Sequence, residues 1–268
     1  MPSDAPVIEV QDLHKSLGGR PVLKGVSLQV RKGETVVILG GSGCGKSTLL
    51  RHLLASYKPD RGKVLIFGQD LQSLTRDSLD ALRLRLGIVF QSGALYNSMT
   101  VANNVALPMR EHTHLDDNIM SIMVKMKLEL VGLRGFDDLM PAQLSGGMRK
   151  RVALARAIAL DPEMLLYDEP TAGLDPIMSS VIDQLIMDLA KKLGVTSVVV
   201  THDLTSAFKV GDRIIMLYEG AVIESGTAGE IQNSTNPVVR QFITGAPDGP
   251  IPLRRSSMDF ATDLMGEI

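Results

Sequence analysis

Residues 40–47 read Gly-Gly-Ser-Gly-Cys-Gly-Lys-Ser and satisfy every fixed position of the pattern G-x-x-x-x-G-K-[ST]. Glycines at Gly40, Gly41, Gly43 and Gly45 let the backbone curl so that successive N–H groups converge on an anion. Behind the loop, residues 46–55 carry Leu49, Leu50, Leu53 and Leu54 at helical spacing, so the positive end of a helix faces the same point. Ahead of it, residues 34–39 form a short apolar, β-branched run suited to a buried strand. Strand, glycine loop and helix in this order predict a phosphate cradle on an α/β core. It is formed by Gly40, Gly41, Ser42, Gly43, Cys44, Gly45, Lys46, Ser47 and Thr48.

A chain of 268 residues suits one large domain, or one domain with a subdomain, and 44% hydrophobic with 22% charged residues suits a packed globule. Aromatics make up 4% with no Trp, and the net charge is -2, which argues against nucleic acid as a partner. The opening Met-Pro-Ser-Asp-Ala-Pro has no basic and apolar leader pattern, and no uncharged apolar run is long enough to cross a bilayer. These features predict a chain that stays in the cytoplasm. A mean hydropathy of +0.13 with 14 Met points to surfaces covered by partners.

Along the chain, residues 7–13 and 22–30 alternate as strands around a Gly18-Gly19 turn and predict an antiparallel layer ahead of the core. Residues 62–67 predict a strand, 75–86 a helix, and 86–90 a buried strand ending at Gln91. From about residue 100 to 147 the strand signals stop, and an inserted helical subdomain is expected. In it Ile119, Met123, Met126 and Leu130 form a stripe that reads as core or as a partner surface. Ser145 then caps a helix that starts beside Gly146 and Gly147, which makes a second anion-binding helix end in the same chain.

Residues 164–168 form an apolar strand ending in Asp168 and Glu169. A carboxylate at the carboxyl end of a parallel strand faces the ligand crevice, so Asp168 is expected to reach the Mg²⁺ of a bound nucleotide, and Glu169 to orient or deprotonate a water. Residues 176–193 predict a helix, and 195–201 a buried strand with His202 at its polar end. Residues 245–268, rich in Pro and Gly before Arg254 and Arg255, predict an extension that docks on a partner or is disordered. The domain is thus expected to span residues 1–244.

Taken together, these motifs resemble the ATPase subunits of ABC transporters over nearly the whole chain. Residues 40–47 correspond to Walker A, Gln91 to the Q-loop, residues 144–148 to the signature and residues 164–169 to Walker B. Residues 172–175 correspond to the D-loop, ending in Asp175, and His202 to the switch histidine. Two positions depart from the family pattern: Met148 stands where Gln is usual, and Leu17 stands where an aromatic stacks on adenine. Residues 91–96, 108–113, 144–148 and 248–254 resemble more narrowly the ATPases of Mla (maintenance of lipid asymmetry) phospholipid transporters, which are relatives of the Mce systems.

The resemblance implies a P-loop NTPase (RecA-like) α/β core with an antiparallel β subdomain and an inserted helical subdomain. It implies ATP and Mg²⁺ as ligands and hydrolysis in a head-to-tail dimer. Residues 40–48 of one copy would face Ser145, Gly146 and Gly147 of a second copy, and Asp175 and Gln91 would also belong to the nucleotide site. Lys46, Glu169 and His202 would be catalytic, and Ser47, Gln91 and Asp168 would hold the metal. It further implies an integral membrane permease, a STAS-domain regulatory protein and a periplasmic MCE lipid-binding subunit as partners, and a peripheral place on the cytoplasmic face of a Gram-negative inner membrane. A transporter for another substrate, or a nucleotide-gated family member outside transport, are the alternatives. Because Cys44 sits within the loop, alkylation is expected to block ATP binding unless the side chain turns away from the mouth.

Overall fold

The computed structural model describes residues 5–251. The chain begins with β1 (Ile8–Leu17), β2 (Arg20–Val30) and β3 (Thr35–Leu39), followed by α1 (Lys46–Leu53), β4 (Arg61–Ile66), β5 (Gln69–Asp70), α2 (Arg76–Arg83) and β6 (Leu86–Val89). Then come α3 (Val101–His112), α4 (Asp117–Leu130), a 3-10 turn at Pro141–Gln143, α5 (Gly146–Ala157) and β7 (Met164–Asp168). The remainder comprises α6 (Pro176–Leu193), β8 (Thr196–Thr201), α7 (Leu204–Val210), β9 (Arg213–Tyr218), β10 (Ala221–Gly226), α8 (Ala228–Gln232) and α9 (Pro237–Thr244). Most of residues 245–268, expected to dock on a partner or to be disordered, lie outside the described residues. Within them, Gln241 of α9 holds Ile251 through its amide, accepting from Ile251 N at 2.6 Å. No helix among the described residues is long and apolar enough to cross a membrane.

Two sheets form the frame. The first is antiparallel in the order β2-β1-β4-β5, and the second runs β10-β9-β3-β8-β7-β6, parallel except for β10. Strands β3 and β8 are buried at every position because each has a strand on both sides and a packed layer on both faces. Successive side chains alternate between two cores. Val36 and Ile38 join Leu49, Leu53 and the first sheet, whereas Val37 and Leu39 join Val152, Ala155, Ile186 and Ala207 from the helical side.

Because β3, β8, β7 and β6 are parallel and in register, their carboxyl ends share one edge: Leu39 pairs with Thr201, Val200 with Asp168, and Tyr167 with Val89. The loop at Gly40, His202, Asp168 with Glu169, and Gln91 therefore emerge side by side, on strands roughly 4.8 Å apart.

The helices α3 and α4 lie in the long connection between β6 and β7 and pack on α5. The stripe on α4 divides between its two readings: Met123 and Leu130 are half-buried against the core, whereas Ile119 and Met126 are exposed. Met120, Val124, Lys127 and Leu128 face inward, while Ile122 and Met126 are 59% and 61% exposed and Ile119 is exposed too. This helix is apolar on nearly all sides, so spacing alone could not separate its two faces. Inward-facing Lys127 pairs with Asp161.

At the start of β3, Arg213 grips Glu34 with two bonds, Nε to Oε1 at 2.7 Å and Nη2 to Oε2 at 3.0 Å. Burial pushes the Glu34 carboxyl up, but Arg213 and the Arg31 N–H outweigh it and hold it below the usual range. A carboxyl lowered by folding stabilises the fold fully above the unfolded pKa of about 4.3, and this contribution fades as pH falls through the folded value. Glu34→Gln is expected to cost about 1–2 kcal/mol at neutral pH. Thermal melts should show the gap from wild type constant down to about pH 4 and closing below it, and a gap that persists undiminished well below that pH would contradict the assignment.

Candidate nucleotide site

The loop between β3 and α1 is built tightly. Gly45 has φ +110°, in the left-handed region, and a Cβ at Gly40 would lie 2.3 Å from the Leu217 carbonyl oxygen, so neither position tolerates a side chain without movement. Lys46 is 7% exposed, and its Nζ donates to the carbonyls of Gly40 (2.7 Å) and Gly41 (3.0 Å). Its charge thus arches back over the loop that its own backbone begins. Ser42, Gly43 and Ser47 are exposed at the mouth, Gly41 and Thr48 half-buried.

Cys44 does not face that mouth. Its side chain is buried in the core that holds Val36, Ile38 and Leu217, and burial pushes its thiol up, away from the reactive thiolate. Of the two readings of Cys44, the structure shows the side chain turned away from the mouth. Cys44 contributes backbone to the loop, not an accessible thiol.

Across the edge, Glu169 takes an unusual backbone. Its φ of +47° is rare for a residue with a Cβ, and its N–H donates to the Val200 carbonyl of β8 at 2.8 Å. The carboxylate is nearly buried. Its Oε2 bonds His202 Nδ1 at 2.9 Å and accepts from His202 N at 3.3 Å, while Oε1 lies 3.9 Å from Lys46 Nζ. Lys46, Glu169 and His202, drawn from three strand ends, therefore form one connected group.

Asp168 Oδ1 is buried without a hydrogen-bond partner among the described residues. Burial, and then the Glu169 charge, raise its carboxyl, while Arg51, Lys46 and Lys150 oppose the rise. Asp168 lines a cavity of about 530 Å³ together with Phe90, Gln91, Ser92, Ala172 and Gly173. An unpaired buried carboxylate oxygen lining one cavity with Gln91 is hard-oxygen chemistry, which fits Mg²⁺.

The second helix end lies elsewhere. Ser145 is exposed and caps α5 by accepting from Met148 N at 3.2 Å. Gly146 sits against Leu174, and a Cβ at Gly147 would meet the Met178 side chain, so this end adjoins the start of α6. There Asp175 caps α6 by accepting from Ile177 N and Met178 N, both at 3.0 Å. Helix α1 packs on β2, β4, β7 and β8, whereas α5 packs on α3, α4, α6 and β6. The two helix ends thus belong to different layers. Leu17 stands at the exposed end of β1.

Two positions that hold the segments around the site escaped the reading of the sequence. Asn104, fully buried on α3, uses its side chain on Tyr96 N, Tyr96 O, Met99 O and Thr100 O, and so shapes the segment after Gln91. Lys150 on α5 reaches the carbonyls of both Gln91 and Glu169. Neither carries a local motif; only the Asn at a buried helix face was a signal.

A glycine phosphate loop on β3, acids ending β7, a histidine ending β8 and a helical insertion between β6 and β7 define a P-loop ATPase cassette. Residues 23–172 match the family described as ABC transporter, and the chain belongs to that family. It is 43% identical over 263 residues to the intermembrane phospholipid transport system ATP-binding protein MlaF of Escherichia coli, covering 98% of each chain. It is 42% identical to the probable ribonucleotide transport ATP-binding protein mkl of Mycobacterium leprae, covering 91% of this chain and 70% of that one. Among solved structures, an ATP-binding cassette described as a dimer in a post-hydrolysis state bound to ADP and Pi is 35% identical, with a TM-score of 0.75 over 82% of this chain and 98% of that one.

Proposed function

We propose that this chain is the ATP-hydrolysing subunit of a membrane transporter that moves phospholipid between the inner and outer membranes of a Gram-negative bacterium. The observation that carries this reading is the 43% identity to MlaF across 98% of both chains. Two copies act head to tail. In each copy the loop at residues 40–48 holds the nucleotide, and Ser145, Gly146, Gly147 and Asp175 of the other copy close over it. An exposed Ser145 and an Ile177 that is 77% exposed beside Asp175 support such a contact, since an isolated chain leaves both uncovered.

Within one site, the N–H groups of the loop and Lys46 bind the β- and γ-phosphates. Ser47, Gln91 and Asp168 would hold Mg²⁺, which when bound supplies neutralisation of the phosphate charge. Glu169 orients the attacking water and accepts its proton, in a carboxylate kept in place by His202. On loss of the γ-phosphate His202 and Ser145 lose their shared ligand, and the copies part.

The chain sits on the cytoplasmic face of the inner membrane through an integral permease, with a STAS-domain regulatory protein and a periplasmic MCE lipid-binding subunit in the same assembly. A groove of about 440 Å³ lined by Phe90, Ala94, Tyr96, Leu107 and Pro108 follows Gln91, and Tyr96 in it is 53% exposed. This groove receives the permease. Ala94→Arg is expected to leave ATP binding intact and to reduce transport per ATP hydrolysed at least several-fold, since an added charge opposes docking. Unchanged coupling in reconstituted vesicles would remove the groove from this role.

The likeness to the probable ribonucleotide transport protein favours a second reading, a transporter for another substrate. Purification of the tagged chain from membranes in detergent, with mass spectrometry of partners and bound lipid, separates the two. A permease, an MCE protein and phospholipid are expected. A permease with neither lipid nor a lipid-binding partner would favour the second reading.

A further inference from the structure

Lys150 lies just over one turn into α5 and is 7% exposed. A buried ammonium needs partners, and this one donates to the Gln91 carbonyl and, at 3.2 Å, to the Glu169 carbonyl. Both acceptors are backbone atoms of residues on the shared strand edge. Burial lowers the Lys150 ammonium, while the Asp168 and Glu169 carboxylates help to keep it charged.

The bond to Glu169 falls on strained backbone. With φ at +47°, Glu169 keeps its conformation because its surroundings hold it from several directions: its N–H by Val200, its carbonyl by Ala172 N at 3.2 Å and by Lys150. The same helix grips the neighbouring loop a second time. Arg156 donates to the carbonyls of Gly93 at 2.9 Å and Ala94 at 2.8 Å. Helix α5 therefore carries an exposed anion-binding end at Ser145 and, from its flank, holds both the Gln91 loop and the backbone of the acid.

We propose that Lys150 is a positioning residue that fixes the Glu169 backbone to α5, so that engagement of Ser145 with a nucleotide on a second copy is transmitted to the acid of the chain's own site. The proposal rests on the roles given above to Glu169 and Ser145. A shift of α5 by a fraction of an ångström moves the anchor of a carboxylate whose placement governs the rate. Lys150 touches no phosphate and acts through Glu169.

The test uses the full chain with Lys150→Met, which keeps most of the stem but no donor, and Lys150→Arg, which keeps a cationic donor. Lys150→Met is expected to lower kcat about 10- to 100-fold, as for loss of one charge-assisted hydrogen bond, with KM for ATP and nucleotide affinity within about 3-fold. Lys150→Arg should recover at least about half of the lost logarithm of rate. In nucleotide-free protein, hydrogen exchange should accelerate at residues 91–96 and 169–173 in Lys150→Met, and not in α1.

In single turnovers, adding Lys150→Met to Glu169→Gln should bring less than about 3-fold further loss, because the two act as a unit. Fully multiplied losses, a kcat within about 2-fold of wild type, or unaltered exchange at residues 169–173 would each overturn the proposal. Should Lys150→Met fail to fold, Lys150→Leu, which also removes the donor, carries the same comparisons, and Lys150→Gln, a shorter and uncharged donor, is expected to fall between it and wild type in kcat. Normal turnover by Glu169→Gln alone would instead overturn the underlying role of Glu169, which keeps the two failures distinct.

Discussion

Glu169→Gln is expected to bind ATP as wild type does and to lose about 10² to 10⁴ in turnover. The substitution keeps size and planarity, so the contacts of Oε2 with the His202 backbone and ring, at 3.3 and 2.9 Å, have an isosteric substitute. What it removes is the negative charge and the capacity to take a proton. Because the carboxylate is nearly buried, at 13% exposure, no bulk water can substitute for it at the same position. Phosphate release at saturating ATP within the assembled complex, beside nucleotide affinity by calorimetry, measures both halves of the expectation. Near-normal release would remove Glu169 from its role.

Lys46→Met is expected to fail one step earlier, at binding. Lys46 carries three ammonium protons, and in this structure two meet the carbonyls of Gly40 and Gly41. The substitution removes the only lysine charge inside the loop and leaves two carbonyls without that donor. One lost charge-assisted bond to phosphate corresponds to about one to two orders of magnitude in affinity, and turnover falls with it. Lys46 also lies 3.9 Å from Glu169 Oε1, so its removal further frees the acid from its neighbour. Affinity within about 3-fold of wild type would show that the backbone N–H nest alone holds the nucleotide.

How much of this could be read in advance depends on whether the information is local. The phosphate loop, the Asp168-Glu169 pair and the capped start of α5 each occupy a short run of residues, and strand or helix patterning beside them gives their setting. Their convergence followed from one further step, that parallel strands end on a common edge. The link from Lys150 to Gln91 and Glu169 was not legible, since it joins residues 59 and 19 positions apart on three elements. Nor could spacing choose between the two apolar faces of α4, or tell that Cys44 turns into the core while its neighbours line the mouth. In both cases packing against distant elements decides, and nothing in the adjacent sequence encodes that choice.

Helix α4 also illustrates what the packing leaves open. Its outward residues Ile119, Ile122 and Met126 are apolar and exposed, in keeping with a chain whose mean hydropathy is +0.13. A partner covering part of this surface is consistent with the transporter assembly proposed above.

The central claim is that each chain supplies only part of an ATP site, completed by the α5 end of a second copy. Sedimentation velocity of Glu169→Gln, with and without ATP and Mg²⁺, tests it most directly when repeated with Ser145→Arg added. The account predicts a shift from monomer to dimer on adding ATP, and loss of that shift in the double variant while ATP still binds. A double variant that binds ATP and dimerises as fully as Glu169→Gln would contradict it.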